Sequence, residues 1–488
     1  MARASVHMAV LMSGAMLAAV PAHGEDLRSA LVMAYNTNPT LQAARAQQRA
    51  LDETPGIARA DGLPSVSANG SLTEVLRDNP AGNSIPSSGG FGPDRVLSGS
   101  ANLGVPIYSG GGVRNSVRAA ETRVQAGQAD LRGTESEVFS QAVGAYMDVI
   151  LAEAVVGLNR KNVEVLSVNL RATTDRFEIG DVTRTDVAQS QARLALARGD
   201  TRSAEANLSA ARERYIQVIG APPGTLDTPP PLPGLPDAAE AAVATALDNN
   251  PDIFAANQRS KAAAFDVKTA GAGRLPRVSV FAAGTYTDYL NTLGGPGSGT
   301  FLQHGTGATA GVQATIPIFQ GGRPAALRRQ AQARESAALE TGIAVERSVI
   351  AQTRAAYSSW LAANEIIIST QSAVDAAALS LEGVRAENSV GNRTILDILD
   401  AEQELLQARV RLATAQRNAY VAGFTLLAAM GKAEAEDLGL DGGALYDPQA
   451  NYKRVHGKLF DWDNDPAPVP QATRTVDTPT QSGSIPTE

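Results

Sequence analysis

Two periodicities take turns along the chain. Val66, Ala68, Gly70 and Leu72 alternate with Ser65, Ser67, Asn69 and Ser71. Leu97, Gly99, Ala101, Leu103, Val105 and Ile107 alternate with Ser98, Ser100, Asn102 and Gly104. Further on, Ala308, Ala310, Val312, Ala314, Ile316 and Ile318 alternate with Thr309, Gly311, Gln313 and Thr315. Period two predicts strands with one apolar and one polar face. Held over about ten residues, it suits a membrane strand with its apolar face outward and its polar face inward. Surface strands of soluble sheets alternate too. The second periodicity is helical. No proline occurs between Pro106 and Pro222. Leu151, Leu158 and Val165 fall seven apart, with Val155 between, a coiled-coil spacing. A turn at Gly180 divides this window into helices of about 65 and 40 residues, the longer spanning roughly 100 Å.

The programme then runs a second time. Asn250-Pro251 repeats Asn38-Pro39, and Leu275-Pro276 repeats Leu63-Pro64, at an offset of 212. Gly391, Thr394, Asp397, Tyr357 and Met430-Gly431 repeat Gly180, Thr183, Asp186, Tyr146 and Ile219-Gly220 at an offset of 211. Ile316-Pro317-Ile318-Phe319 with Gly321-Gly322 mirrors Val105-Pro106-Ile107-Tyr108 with Gly110-Gly111. Such a long period is a tandem duplication rather than a solenoid. Each copy supplies a helix, a strand pair around a Gly-rich loop, and two long helices. The Pro-rich segment 222–236 joins the copies, and the Pro-, Asp-, Ser- and Thr-rich tail from about Asp461 reads as disordered.

Composition narrows the function. Net charge is −8, so nothing argues for nucleic-acid binding. Cysteine is absent, which excludes disulfides, thiolate metal sites and a thiol nucleophile. Arg3, the apolar run from about Val6 to Val20 and Pro21-Ala22-His23-Gly24 predict a secretory leader cut after Gly24; an uncleaved anchor is the alternative. Only His304 and His456 follow it, outside any metal-spaced cluster, and no phosphate loop or nucleophile elbow is present. No enzymatic activity and no cofactor are expected. Beyond the leader no uninterrupted apolar run of about 18 residues occurs, so membrane insertion would have to use strands. Four strands do not close a barrel, so the chain would oligomerise. Two copies give eight strands, a filled barrel, and three give twelve, wide enough for a lumen.

These features together resemble the TolC family of outer-membrane channels. They are the leader, the duplicated helix–strand–strand–helix plan, the Leu-Pro strand entries, the Pro-Ile-aromatic plus Gly-Gly strand exits, and the turn Val390-Gly391-x-Arg393-Thr394-x-x-Asp397-x-x-Asp400. The resemblance covers about residues 25–431. It implies a mixed fold of α-helices and membrane β-strands: a homotrimer whose four strands per chain build a twelve-stranded outer-membrane barrel, above a periplasmic α-barrel of long coiled helices. Residues 63–108 and 275–319 would be barrel, with outward loops at 77–95 and 290–306. Residues 25–62, 109–221, 237–274 and 320–432 would be tunnel, and 222–236 and 433–460 an equatorial region. Tyr108, Tyr286, Tyr289, Phe301 and Phe319 could mark the membrane interface or be ordinary strand aromatics. The implied function is a passive export conduit for type I secretion or drug efflux. Its implied partners are a periplasmic adaptor, an inner-membrane ABC or RND-type pump and outer-membrane lipid.

The resemblance also implies a gate. Asp397 and Asp400 stand three apart, on one side of a helix, and three copies would converge six carboxylates that titrate as a set. That predicts a constriction blocked by cations. Arg393 matches the family's gate arginine, and Thr185 and Asp186 match its partners. Asn388 stands where the family carries a tyrosine; its amide could hydrogen-bond Asp186. Gly180, Thr183, Gly391 and Thr394 would form the tip that meets the adaptor. A plainer reading exists for part of this. Thr183-x-x-Asp186 and Thr394-x-x-Asp397 fit capping boxes, which leaves Asp400 and Arg393 to carry the specific chemistry. The alternative class is a structural or adhesive coiled-coil envelope protein with soluble hairpins.

Overall fold

The computed structural model describes residues 25–76, 93–294, 301–440 and 445–485. The leader and the tips of both predicted outward loops lie outside the described residues. The first copy runs α1 (Leu27–Thr37), α2 (Pro39–Asp52), α3 (Thr54–Ala60), β1 (Ser65–Glu74), β2 (Arg95–Tyr108), α4 (Gly112–Glu178) and α5 (Arg184–Ile219). The second runs α6 (Ala239–Asn249), α7 (Pro251–Ala272), β3 (Arg277–Asp288), β4 (His304–Thr315), α8 (Arg323–Ser389) and α9 (Ile395–Ala429), before a last helix α10 (Pro448–Val455). The duplication is metric: α4 and α8 are 67 residues each, α5 and α9 are 36 and 35. β4 stops at Thr315, short of the alternation that predicted it through Ile318.

Equivalent residues set equivalent boundaries. Gly111 and Gly322, at φ 77° and 80°, turn the chain from strand into long helix. Gly180 and Gly391 both sit at φ 83° in the return turns, where a side chain would strain the backbone. Asn38 and Asn250 cap α2 and α7 ahead of a proline at the first helical position, the site proline tolerates best. Each asparagine also reaches the opposite end of its own copy. The Asn38 amide donates to the Val218 carbonyl (2.8 Å) and that of Asn250 to the Ala429 carbonyl (3.0 Å).

The strands form one antiparallel sheet in the order β1-β2-β3-β4. Register places Val66, Leu103, Ala282 and Ala310 in one row, and Ala68, Ala101, Gly284 and Ala308 in the next. The opposite face carries rows such as Ser67, Asn102, Ala283, Thr309 and Asn69, Ser100, Thr285, Gly307. The period-two pattern thus becomes an apolar face and a polar face. Among the described residues both outer strands, β1 and β4, keep a free edge.

Below the sheet the helices form a wall. α4 packs on α2, α3 and α7 in its upper part and on α5 and α9 lower down, while α8 packs on α7 and α9. The seven-residue spacing of α4 holds, but the buried register differs from Leu151-Leu158-Val165. Ala142, Val149 and Val156 are buried, then Asn159, Leu166 and Thr173. A 3.6-residue turn drifts against a seven-residue repeat, so the seam moves around a straight helix. One 18-residue window of α4 is apolar enough to cross a bilayer by length and composition alone, and 44% of it is buried inside the protein.

The core sits at mid-height. Tyr35, Phe139, Tyr146, Tyr215 and Phe424 pack there with Leu41, Leu208 and Leu426. The Tyr146 hydroxyl lies 2.8 Å from the Glu25 carbonyl and 2.7 Å from that of Asp227, and the Tyr357 hydroxyl donates to the Asp237 carbonyl (2.8 Å). The repeated tyrosines therefore clasp the ends of the Pro-rich joining segment. The end of the described tail, which composition reads as disordered, lies along α5. Ser209 and Arg212 donate to the carbonyls of Gln481, Ser482 and Ser484, and Ile485 packs against the core. Gly483 allows the approach, since a Cβ there would lie 1.9 Å from the Glu205 carbonyl oxygen. Polar, proline-rich chain needs no core of its own when helix side chains satisfy its carbonyls.

Asn38→Ala and Asn250→Ala each remove a cap and the tie to α5 or α9. Each should cost about 1–2 kcal/mol, read as a lower midpoint of thermal unfolding. An unchanged midpoint for both would dismiss these residues as fasteners.

Candidate functional site

The far ends of the long helices hold two turns built alike. α4 ends at Glu178 and α8 at Ser389, and each turn reverses through its positive-φ glycine. Thr183 then caps α5. Its backbone N–H donates to the Asp186 carboxylate at 2.8 Å, and the Asp186 N–H returns to the Thr183 hydroxyl at 3.3 Å. Thr394 and Asp397 repeat this at 2.8 and 3.3 Å. Both are complete capping boxes, which satisfy two otherwise orphaned donors at each helix start.

The ion pairs of the two turns are reversed in sign. In the first, Arg176 on the helix end donates to Asp181 in the turn (2.7 Å). In the second, Arg393 in the turn donates to Glu387 on the helix end (2.7 Å) and lies 3.7 Å from Asp397. Arg176 and Glu387 occupy equivalent positions in the two copies. The Glu387 bond raises the Arg393 guanidinium further above its ordinary value. Bonds from Thr394, and secondarily the charge of Arg393, hold the Asp397 carboxyl below the usual carboxylate range. The cap is therefore intact above that range and fails as pH falls through the lowered value.

One helical turn into α9 the chemistry changes. Asp400 pairs with Arg193 of α5. Leu399 is buried on Leu166, Leu194 and Ala197, which seats α9 against both α4 and α5. Glu402, with its side chain 4% exposed, accepts from Arg385 of α8 (2.9 Å) and from the Asn169 amide of α4 (3.0 Å). This buried carboxylate fastens α4, α8 and α9 together close to the turns.

Set against the sequence expectations, Arg393, Asn388, Thr394 and Asp397 are brought together in one turn. Thr183 and Asp186 are joined in the other, where Thr185 stands exposed. Within one chain Arg393 bonds Glu387 rather than Thr185 or Asp186. Within one chain the Asn388 amide donates to the Arg393 carbonyl (2.7 Å). Asp186 is already engaged by its own helix start, and a partner three residues away needs almost no loop closure. Arg193, Glu387, Arg385, Asn169 and Glu402 were missed. A signal existed for Glu402: its repeat counterpart is Gln191, the same acid-for-amide asymmetry that marks Asp400.

The sequence model of the outer membrane efflux protein family matches residues 30–221 and 242–432, one block in each copy. The chain is 33% identical to the outer membrane efflux protein BepC of Brucella suis over 455 residues, covering 93% of this chain and 96% of that protein. It is 28% identical over 295 residues to the alkaline protease secretion protein AprF of Pseudomonas aeruginosa, covering 58% of this chain and 59% of that one. Among solved structures, the CmeC outer membrane channel of Campylobacter jejuni superposes with a TM-score of 0.72 at 18% identity, over 89% of this chain and 90% of that one.

The buried carboxylate predicts an asymmetry between its partners. Arg385→Ala leaves Glu402 charged and largely unpaired, at a cost of about 3 kcal/mol. Glu402→Gln keeps the shape and an acceptor for Asn169, at about 1 kcal/mol. Thermal unfolding of the two variants checks this; equal losses would remove the carboxylate from its fastening role.

Proposed function

The chain belongs to the outer membrane efflux protein family, a family of transport channels seated in the outer membrane with a helical periplasmic extension, and on that premise we propose that it works as a homotrimeric, passive export duct. The carrying observation is the sheet. It has one apolar and one polar face and two free edges, and an open edge in lipid costs several kcal/mol per unpaired group. Pairing β4 of one copy with β1 of the next closes the ring, and three copies make twelve strands, wide enough for a lumen. The helices support the same ring. α4 and α8 have equal lengths, yet α4 buries 20 residues and α8 only 8. Exposed Leu339, Ile343, Leu361 and Ile368 leave α8 awaiting a neighbour.

The turns at the far end are the proposed gate and the proposed contact for a periplasmic adaptor, itself coupled to an inner-membrane ABC or RND-type pump. In the ring, Asp397 and Asp400 face the axis as a set of carboxylates. Arg393 of one copy reaches the Thr185–Asp186 turn of the next, exchanging its bond to Glu387 for one between copies. Opening separates α9 from α5 and breaks the Arg193–Asp400 pair. Efflux is the favoured duty over protein secretion, because the relative named for efflux is covered almost end to end and the one named for protease secretion is not.

Heat-resistant trimers in an outer-membrane fraction, and single-channel conductance in planar bilayers, are the expected results; a soluble periplasmic monomer would overturn the reading. In the same bilayers, Asp397→Ala with Asp400→Ala should weaken block by di- and trivalent cations about tenfold or more. Unchanged block would take both residues off the axis. Arg393→Ser should raise resting conductance about two- to several-fold, on the scale of losing one charge-assisted bond per copy; wild-type conductance would leave Arg393 a purely local ligand of Glu387.

A further inference from the structure

The segment after α10 exposes Leu459, Phe460 and Trp462 at 68%, 72% and 80%. Such a cluster within four residues is uncommon at a free surface. Its position follows from connectivity. α2 and α3 climb from the mid-height core toward the sheet, ending five residues before β1. Gly62, just after α3, abuts Val113 at the start of α4, so the top of α3 is level with the base of the sheet. α10 runs in the same direction: Asn451 donates to Asp52 of α2 (2.8 Å), and Arg59 of α3 donates to the His456 carbonyl. The chain then passes Leu459 and Phe460, turns where the Asp463 N–H donates to the Phe460 carbonyl (3.1 Å), and comes back to Arg454. There Asp465 takes two bonds of 2.7 Å, and Lys458 sits 3.1 Å from Asp463. The apolar residues are therefore the apex of a loop closed at its base by ion pairs, and the apex lies on the sheet side of α10.

Two further features suit a lipid surface. At the lower ends of the sheet, Ile107, Tyr108, Ile316, Ile318 and Phe319 are also exposed, Ile318 at 95%. They mark the depth at which apolar surface begins. The cations of the loop, Arg454 and Lys458, are matched by Asp463 and Asp465, and the exposed Asp461 between Phe460 and Trp462 limits insertion to the headgroup boundary, where its carboxylate stays hydrated. Trp at the apex is the residue that favours the membrane–water boundary most.

We propose that the Leu459–Trp462 loop is a second membrane contact, separate from the barrel, which seats its side chains in the periplasmic leaflet of phospholipid beside the base of the sheet. The C-terminal region is thereby held at both ends, by lipid at the apex and by α5 along the tail. The level of the barrel in the membrane is fixed by helices as well as strands.

The chain has two tryptophans, so Trp360→Phe leaves Trp462 as the sole reporter. The full-length W360F protein is reconstituted in phosphatidylethanolamine–phosphatidylglycerol vesicles brominated near the headgroup end of the acyl chain. Trp462 should lose roughly half its emission to the bromolipid and resist acrylamide, as an interfacial side chain does. Should W360F fold poorly, the difference between wild type and Trp462→Phe gives the same signal. Free quenching by acrylamide with no bromolipid effect would place the loop in water and overturn the proposal. Protection from both quenchers would place it against a neighbouring copy and overturn it equally. Protease protection of the barrel in the same vesicles scores insertion independently, so failure of the loop is distinguished from failure of the channel.

Discussion

Backbone groups in hydrocarbon must find partners within protein, and this requirement organises the whole molecule. A four-stranded sheet with two free edges does not meet it alone. The same chain that lacks two strand partners also lacks a helix partner, since α8 is bare where α4 is covered. Both deficits lie at the margins of one protomer, so a single rotation that supplies the strand supplies the helix. A head-to-tail contact of this kind closes into a ring when its rotation divides a full turn.

Duplication supplies the regular part of the design. Two 67-residue helices, two capping boxes, two asparagine ties and two tyrosine clasps recur at nearly constant offset. The copies differ in charge at and near the turns. Arg176 is replaced by Glu387, Gln189 by Asp400 and Gln191 by Glu402. Each exchange alters charge where the geometry is otherwise conserved between copies. Backbone shape is thus kept twofold while the electrostatics is not, and an assembled tip would carry alternating turns of opposite ion-pair polarity.

Local bonds dominate those turns. Thr and Asp three residues apart make a cap at little entropic cost, whereas a tie between helices has to hold two long elements in register. Asp186 and Asp397 are engaged in this way. Asp400 and Glu402 are not helix-start residues, so their carboxylates pair with Arg193 and Arg385 on other helices.

Much of the fold was determined by sequence alone. Period-two alternation sets the two faces of the sheet, and proline-free windows bounded by glycine set the helix lengths to within a few residues. Both signals are local, carried by the backbone geometry of neighbouring residues. The capping boxes were legible for the same reason. Tertiary structure decided what depends on distant packing: the buried seam of α4, the carboxylate of Glu402 between three helices, the pairing of Asp400 with Arg193, and the bond of Asn388 to its own turn. It also decided the tail. Composition reports whether a segment can build its own core, and the tail does not. Its described end lies along α5, where Arg212, Ser209 and the gap left by Gly483 receive it, and Arg212 and Ser209 lie more than 250 positions away in the chain for each hydrogen bond formed.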